Sequence, residues 1–288
     1  MKFRIIFFLC LLIVDLMQSA FCQSFSVTGP ATGQTADGLI QQKLAGPGVV
    51  LSNGTFNGSA AAITSQQIGI FNRGSVNFPI NSGIVMTTGN RSSIPQNAGQ
   101  QINGDMTGPC TNTYLSTILP GAQFYDKAVL DFDFVAFSDT FSFNYVFASE
   151  EYPEYVCSEF NDVFGFFVTG LNPVTGQNAT WNVALIPHSV TPVSINTVNS
   201  GQCGLLYSPT SNTNLTNTQY YRANATAPIF DGYTVKLAAS SVIAACQPYH
   251  MHLAVADVGG GGGQQGGVDA FAAQVQRGIT AQNDPPVE

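Results

Sequence analysis

An all-β fold is what this sequence predicts, a two-sheet β-sandwich, jelly-roll-like, with long loops and one short N-terminal helix. Three observations predict it. Apolar residues recur with period two over short runs, Gly, Pro, Asn and Ser separate those runs, and helix start and stop signals are nearly absent. Taken in order, residues 1–22 read as a secretory signal peptide: Lys2 and Arg4, an apolar run over 5–14, then the small residues Ser19 and Ala20, with cleavage after Cys22. Lipidation of Cys22 is the weaker reading, because Phe21 occupies a place where processing prefers a small residue. Thr35-Ala-Asp37 can cap the one short helix, which would carry Leu39, Ile40 and Leu44 on one face. Further along, Leu130, Phe132 and Phe134 face one way and Asp131 and Asp133 the other. Phe141, Phe143, Tyr145 and Phe147 repeat the alternation, so the two runs read as a hairpin turning at 137–139. Residues 163–168 are apolar on both faces, as suits a central strand under an opposing sheet; later strands are expected at 182–186, 232–237 and 251–256.

The sandwich is expected to occupy residues 23–258 as one domain, which is an ordinary size for an all-β unit. The Asn/Thr/Ser-rich stretch at 208–226 reads as a long surface loop. Residues 259–288 open with five consecutive glycines and read as a flexible segment and C-terminal tail. The net charge of −8 and the scatter of the few cations exclude a nucleic-acid footprint. After the signal, no apolar stretch approaches the ~20 residues that span a bilayer.

The most charged segment is 147–167, FASEEYPEYVCSEFNDVFGFF. Only 9% of the chain is charged, yet Glu150, Glu151, Glu154, Glu159 and Asp162 gather here. Carboxylates brought together repel unless a cation compensates them. A hard cation, Ca²⁺, takes its ligands from carboxylate, amide and backbone oxygens. Candidate ligands are therefore Glu150, Glu151, Glu154, Asn161 and Asp162, with Asp257 at the end of a later strand able to join. Pro153 favours a bend that would let the chain leave and re-enter the sheet around them. The competing reading is a solvated acidic turn.

The four cysteines beyond the signal, Cys110, Cys157, Cys203 and Cys246, read as two disulfides in an exported chain. They lie more than 40 residues apart and include no C-x-x-C, which argues against a zinc knuckle. Three connectivities are open, and Cys157–Cys203 with Cys110–Cys246 is taken as the working pairing. His250 and His252 share one face of a strand, but no third nitrogen ligand accompanies them, so they read as polar residues of a half-exposed strand. Acid pairs such as Glu151 with Glu154, or Asp131 with Asp133, could in principle serve a polysaccharide hydrolase. The alternation of their strand explains Asp131 and Asp133 without that chemistry. Trp181, Tyr220, Tyr221 and Tyr233 are available for sugar stacking, with packing the simpler role.

The wording of 147–167 resembles the choice-of-anchor L family of secreted bacterial proteins, mostly from Bacteroidota, in which F-x-SEEY-x-E-(F/Y)-V precedes FNDVFGFF. Other stretches read like that family in its order, among them GVVLSNGTFNG (48–58), SGIVMTTGN (82–90), ALIPHSVTPVSINTVN (184–199), FDGYTVKL (230–237) and CQPYHMHLAVAD (246–257). The resemblance spans roughly residues 35–257 and implies an extracellular module joined to varied anchors, with no biochemical activity attached to it. The pattern departs after Val258, where glycines replace the acidic and aromatic residues and closing strand that the resemblance implies. No sorting domain or anchor helix is recognisable before Glu288, so retention by the family's usual devices is not expected. The resulting expectation is a secreted, non-catalytic binding or adhesion module, calcium-stabilised, whose partner is an extracellular glycan or protein surface. A hydrolase and a structural matrix component are the alternatives.

Overall fold

The computed structural model describes residues 24–99, 108–205, 208–209, 213–258, 270–274 and 280–281, the last two segments as backbone strands. The expected signal peptide and the glycine run at 259–263 lie outside the described residues. Two antiparallel sheets face each other. One has six described strands: β2 (Val49–Phe56), β6 (Phe124–Ala136), β13 (Pro248–Val258), β8 (Val163–Leu171) and β9 (Asn178–Asn182) in that order, with β5 (Pro109–Cys110) also paired to β6. The other has nine: β1 (Ser26–Thr28), β3 (Ile68–Asn72), β4 (Ser82–Thr87), β14 (Ala270–Gln274), β7 (Thr140–Ser149), β11 (Gly232–Thr234) and β10 (Tyr221–Ala223), with β12 (Leu237–Val242) and β15 (Thr280–Ala281) also paired to β7.

The expected helix is present as α1 (Ala36–Lys43). Thr35 caps it, its hydroxyl accepting from Gly38 N at 3.1 Å, while Leu39, Ile40 and Leu44 enter the core. A second short helix, α2 (Leu115–Ile118), covers the outer face of β8.

The runs at 130–134 and 141–147 are strands with the expected parity, but they do not form a hairpin. β6 pairs with β2 and β13, whereas β7 pairs in the other sheet, so the turn at 137–139 carries the chain across the sandwich. The reason lies in the aromatics. Both runs bury their rings, and placing them in opposite sheets lets the rings meet across the core: Phe134 lies 5.1 Å from Phe141 edge-on, Phe143 5.2 Å from Phe166, and Phe147 stacks on Phe164 at 4.9 Å. β8 is buried on both faces as expected, by the opposing sheet on one side and by Leu115 and Leu119 on the other. β9 begins earlier than expected and ends at Asn182, and the 232–237 stretch divides into β11 and the start of β12.

Cys157 and Cys203 form a disulfide with Cα atoms 5.2 Å apart. Cys110 and Cys246 are free thiols, which corrects the second half of the working pairing. Cys110 pairs with Phe124 at the start of β6, and Cys246 N donates to Ala136 O at its end. A strand of 13 residues separates them, roughly 40 Å at ~3.3 Å per residue, where a disulfide needs Cα atoms within ~7 Å.

Candidate metal centre

The acidic segment leaves the nine-stranded sheet where β7 ends. Ser149 Oγ accepts from Glu151 N at 2.9 Å, Tyr155 N donates to Glu151 O, and a run of turns returns the chain to the six-stranded sheet at Asp162, just before β8. Side-chain parity then decides which acids meet. On β7, Tyr145 and Phe147 point into the core, and Glu151 continues that series. On β8, Phe164, Phe166 and Val168 point inward, and Asp162 continues it backward. On β13, Met251, Leu253 and Val255 point inward, and Asp257 continues it forward. Three chain segments therefore bring one carboxylate each to the same end of the sandwich interior. Glu151, Asp162 and Asp257 are all buried, with one oxygen from each within 4.8 Å of the other two. Asp162 Oδ1 also accepts from Val258 N at 3.1 Å, tying the start of β8 to the end of β13. Opposite Ala256, β6 carries an extra residue with Asp126 at φ 51°, a bulge that lets the strand bend at the rim of this site.

Of the other sequence candidates, Glu150 and Asn161 adjoin the triad in sequence and Glu154 lies in the turn between them. Glu154 is exposed, and its charge falls on Tyr221 and Asp231. Burial, with help from Asp231 and Glu154, pushes the Tyr221 phenol up to about 12. Asn161 is buried, and its Oδ1 accepts from Asn196 N at 3.1 Å. Glu150 is half-buried next to Glu151. Glu151, Asp162 and Asp257 are thus the carboxylates of the expected set that converge, and their all-oxygen arrangement can hold a metal ion.

A second cluster covers the outer face of the six-stranded sheet. β13 and β6 pair His250 with Asp133 and His252 with Asp131. His250 Nδ1 lies 2.8 Å from Asp133 Oδ1 and its Nε2 3.3 Å from Asp131 Oδ1; His252 Nδ1 lies 2.5 Å from Asp131 Oδ1. Asn53 Nδ2 donates to Asp133 at 2.8 Å. On the other side, Asn112 Oδ1 accepts from Tyr114 N and Leu115 N, so its amide nitrogen faces His252 Nε2, 3.0 Å away. Nε2 is thereby the acceptor, and the imidazole hydrogen sits on Nδ1 toward Asp131. A metal on His252 Nδ1 would need that hydrogen moved to Nε2, against the Asn112 donor, so the cluster is built as a hydrogen-bonded ion network rather than a cation cage. The hydrogen bond to Asp131 holds the His250 imidazolium up to about 9 against its burial, with Asp133 adding to the effect. Burial would raise Asp131, but the bonds from His250 and His252 outweigh it and hold the carboxyl at about 2. His252 is buried beneath Tyr114, whose ring centroid lies 4.3 Å away. The aromatic candidates are packing groups: Trp181 Nε1 donates to Ser241 Oγ and its ring meets Tyr249, Tyr221 packs on Tyr152, and Tyr233 donates to Asn77 O.

Next to the carboxylate triad, a cleft of about 490 Å³ opens between the α2–β6 loop and the turn at 158–161, lined by Gln123, Ser158, Phe160, Asn161 and Val258 among others. A second cleft, of about 340 Å³, shares Leu119 and Asn161 with it and continues past Thr191, Pro192 and Asn214. The walls come from turns distant in the chain, at 119–123, 158–161 and 191–197, whose meeting no local pattern reveals.

Fold and site together define a β-sandwich module with a disulfide, a buried carboxylate triad and a polar surface groove beside it. A family model described as Choice-of-anchor L domain matches residues 26–266, and the chain belongs to that family. Searches of the curated proteins and of the solved structures give no significant match. Family membership points to a non-enzymatic surface or secreted module, and no described helix is long and apolar enough to cross a membrane.

Proposed function

We propose that this protein is a secreted, non-catalytic recognition module that adheres to an extracellular glycan or protein surface, and that Ca²⁺ bound by Glu151, Asp162 and Asp257 stabilises the end of the sandwich used for recognition. The observation that carries the calcium reading is the convergence of three core-facing carboxylates from both sheets. Oxygens bound to one ion at ~2.3–2.6 Å can be no more than about 5 Å apart, and the 4.8 Å limit on this triad meets that condition. The donor set contains oxygen only, which favours a hard cation over zinc or copper. Asn161 and Val258 flank Asp162 and Asp257 in sequence and also line the cleft, so an ion at the triad would brace the cleft wall. The binding reading is favoured over the hydrolase by the fate of the acid pairs. Asp131 and Asp133 are occupied by His250, and Glu154 is exposed beside Tyr221 and Asp231 rather than in the triad.

The experiment is metal analysis of protein purified without chelator, with melting curves in chelator and in added calcium. About one ion per chain and a higher melting temperature in calcium are expected. No bound calcium, with melting indifferent to both treatments, would overturn the calcium reading. Release of reducing sugar from any polysaccharide tested would overturn the non-catalytic one.

A further inference from the structure

We infer that the two adjoining clefts form one binding groove for a neutral, extended oligosaccharide, with Asn161 and Leu119 at the junction between two subsites. The inference rests on the binding-module reading and gives it a place and a ligand class. Each volume, about 490 and 340 Å³, lies in the small-ligand range, and because both linings include Leu119 and Asn161, the two clefts adjoin across those residues. A ligand that filled both would be a chain rather than a single ring.

The lining chemistry selects the class. No Lys, Arg or His is among the residues lining either cleft, so nothing there compensates an anionic ligand. The groups open to a ligand are the Gln123 amide oxygen in one cleft and the Thr191 hydroxyl and Asn214 amide in the other, which can exchange hydrogen bonds with sugar hydroxyls, and the exposed Glu159 carboxylate adds an acceptor that further disfavours an anion; the Ser158 hydroxyl is turned onto Phe160. Phe160 and Pro192 supply apolar surface, one in each cleft, for the C–H face of a pyranose. An extended peptide is disfavoured on geometry. Peptides add to sheet edges through backbone hydrogen bonds, whereas the walls here are turns, and the one lining residue in a sheet, Val258, ends a strand held between β6 and β8.

The groove is also stiff where it needs to be. Asn196 is a fastening point: its Nδ2 donates to Ser158 O at 2.8 Å, its Oδ1 accepts from Cys157 N at 2.6 Å, and its own N–H donates to Asn161. The Cys157–Cys203 disulfide anchors the same turn. A wall held in this way loses little freedom on binding, which favours affinity from few contacts.

The test uses the calcium-loaded protein without its signal peptide, titrated by calorimetry with neutral cello-, xylo- and β-1,3-gluco-oligosaccharides of two to six units. A hexagalacturonate and a random peptide library serve as the charged and peptidic arms. Thr191→Trp fills the second cleft from a half-exposed turn, and Gln123→Ala removes an exposed amide from the first. A neutral series should bind with affinity rising with chain length. Thr191→Trp should abolish the gain from the longer chains, and Gln123→Ala should weaken all of them about fivefold, the loss of one hydrogen bond. Both variants should melt within about 2 °C of the parent, as surface changes do. The inference is overturned if no neutral oligomer binds, if both variants bind like the parent, or if only the uronate or the peptides bind. Calcium-dependent melting is read on the same samples, so loss of sugar binding with that response intact removes the groove and leaves the ion.

Discussion

The substitution Asp257→Asn separates an ion site from an ordinary acidic cluster, because its effect should change sign with calcium. It preserves side-chain volume and removes one charge from a triad whose oxygens lie within 4.8 Å of one another. At an effective dielectric of about 20, two unit charges at that distance repel by ~3.5 kcal/mol. Three ionised groups with no cation would then hold on the order of 10 kcal/mol of repulsion, as much as the whole stability of many domains. Local relaxation lowers this, and the share removed by neutralising Asp257 should be about 1–3 kcal/mol. At roughly 2–4 °C per kcal/mol for a domain of this size, the variant should melt about 2–12 °C above the parent in chelator. With calcium at a hundredfold excess over its Kd the parent gains ~2.7 kcal/mol. The variant, short of one charged ligand, forgoes most of that gain, and the order should reverse. The assay is differential scanning calorimetry of both proteins in chelator and in calcium. Asp257→Asn melting below the parent in both buffers would mean that the carboxylate is a structural acceptor and that no ion compensates the triad.

The Cys157–Cys203 bridge spans 46 residues, so its reduction, or Cys157→Ser with Cys203→Ser, should remove about 4 kcal/mol of stability in the chain-entropy account, read from the urea midpoint. Thiol labelling of unreduced protein should find Cys110 and Cys246 reactive once unfolded, with Cys246, which is exposed, also reactive when folded. Gly204→Ala should cost more than about 2 kcal/mol, because its Cβ would lie 1.8 Å from the carbonyl oxygen of Glu154, a backbone atom that cannot move aside cheaply. The His–Asp network sets a pH window. Asp131, held at about 2, contributes stability that is present above pH ~4 and lost as pH falls toward 2, whereas His250, held at about 9, contributes stability that is full below pH ~6.5 and lost as pH rises through 9. Because 39% of the His250 side chain is exposed, solvent screening limits its alkaline limb to about 1 kcal/mol. His250→Gln should flatten that limb of a urea-midpoint profile.

How much of this could be read from the sequence depends on whether a feature is local to one strand or made by several. The capped helix at Thr35, the alternation of 130–134 and of 141–147, and the two-faced burial of 163–168 each follow from a few neighbouring side chains, and each is in the fold. The pairing of those strands is not local. An alternating strand shows which residues point together but not which sheet receives it, so the turn at 137–139 reads equally as a hairpin or as a crossing between sheets. The same limit explains the cysteines: Cys157–Cys203 fastens two loops at one end, while Cys110 and Cys246 are held at opposite ends of β6, a separation that no spacing along the chain reveals. It explains the candidate ligands as well. Nearness along the chain groups Glu150, Glu154 and Asn161 with Glu151 and Asp162, and does not show which of these side chains point together. Parity with the core-facing aromatics is the finer criterion. Glu151 is in step with Tyr145 and Phe147, Asp162 with Phe164 and Phe166, and Asp257 with Leu253 and Val255, whereas Glu154 lies in the turn, where alternation no longer applies. An acid that continues the inward-facing series of a buried strand has the core behind it and the strand end beside it. Three such strands ending together are what turn a surface-rich acidic sequence into a buried site.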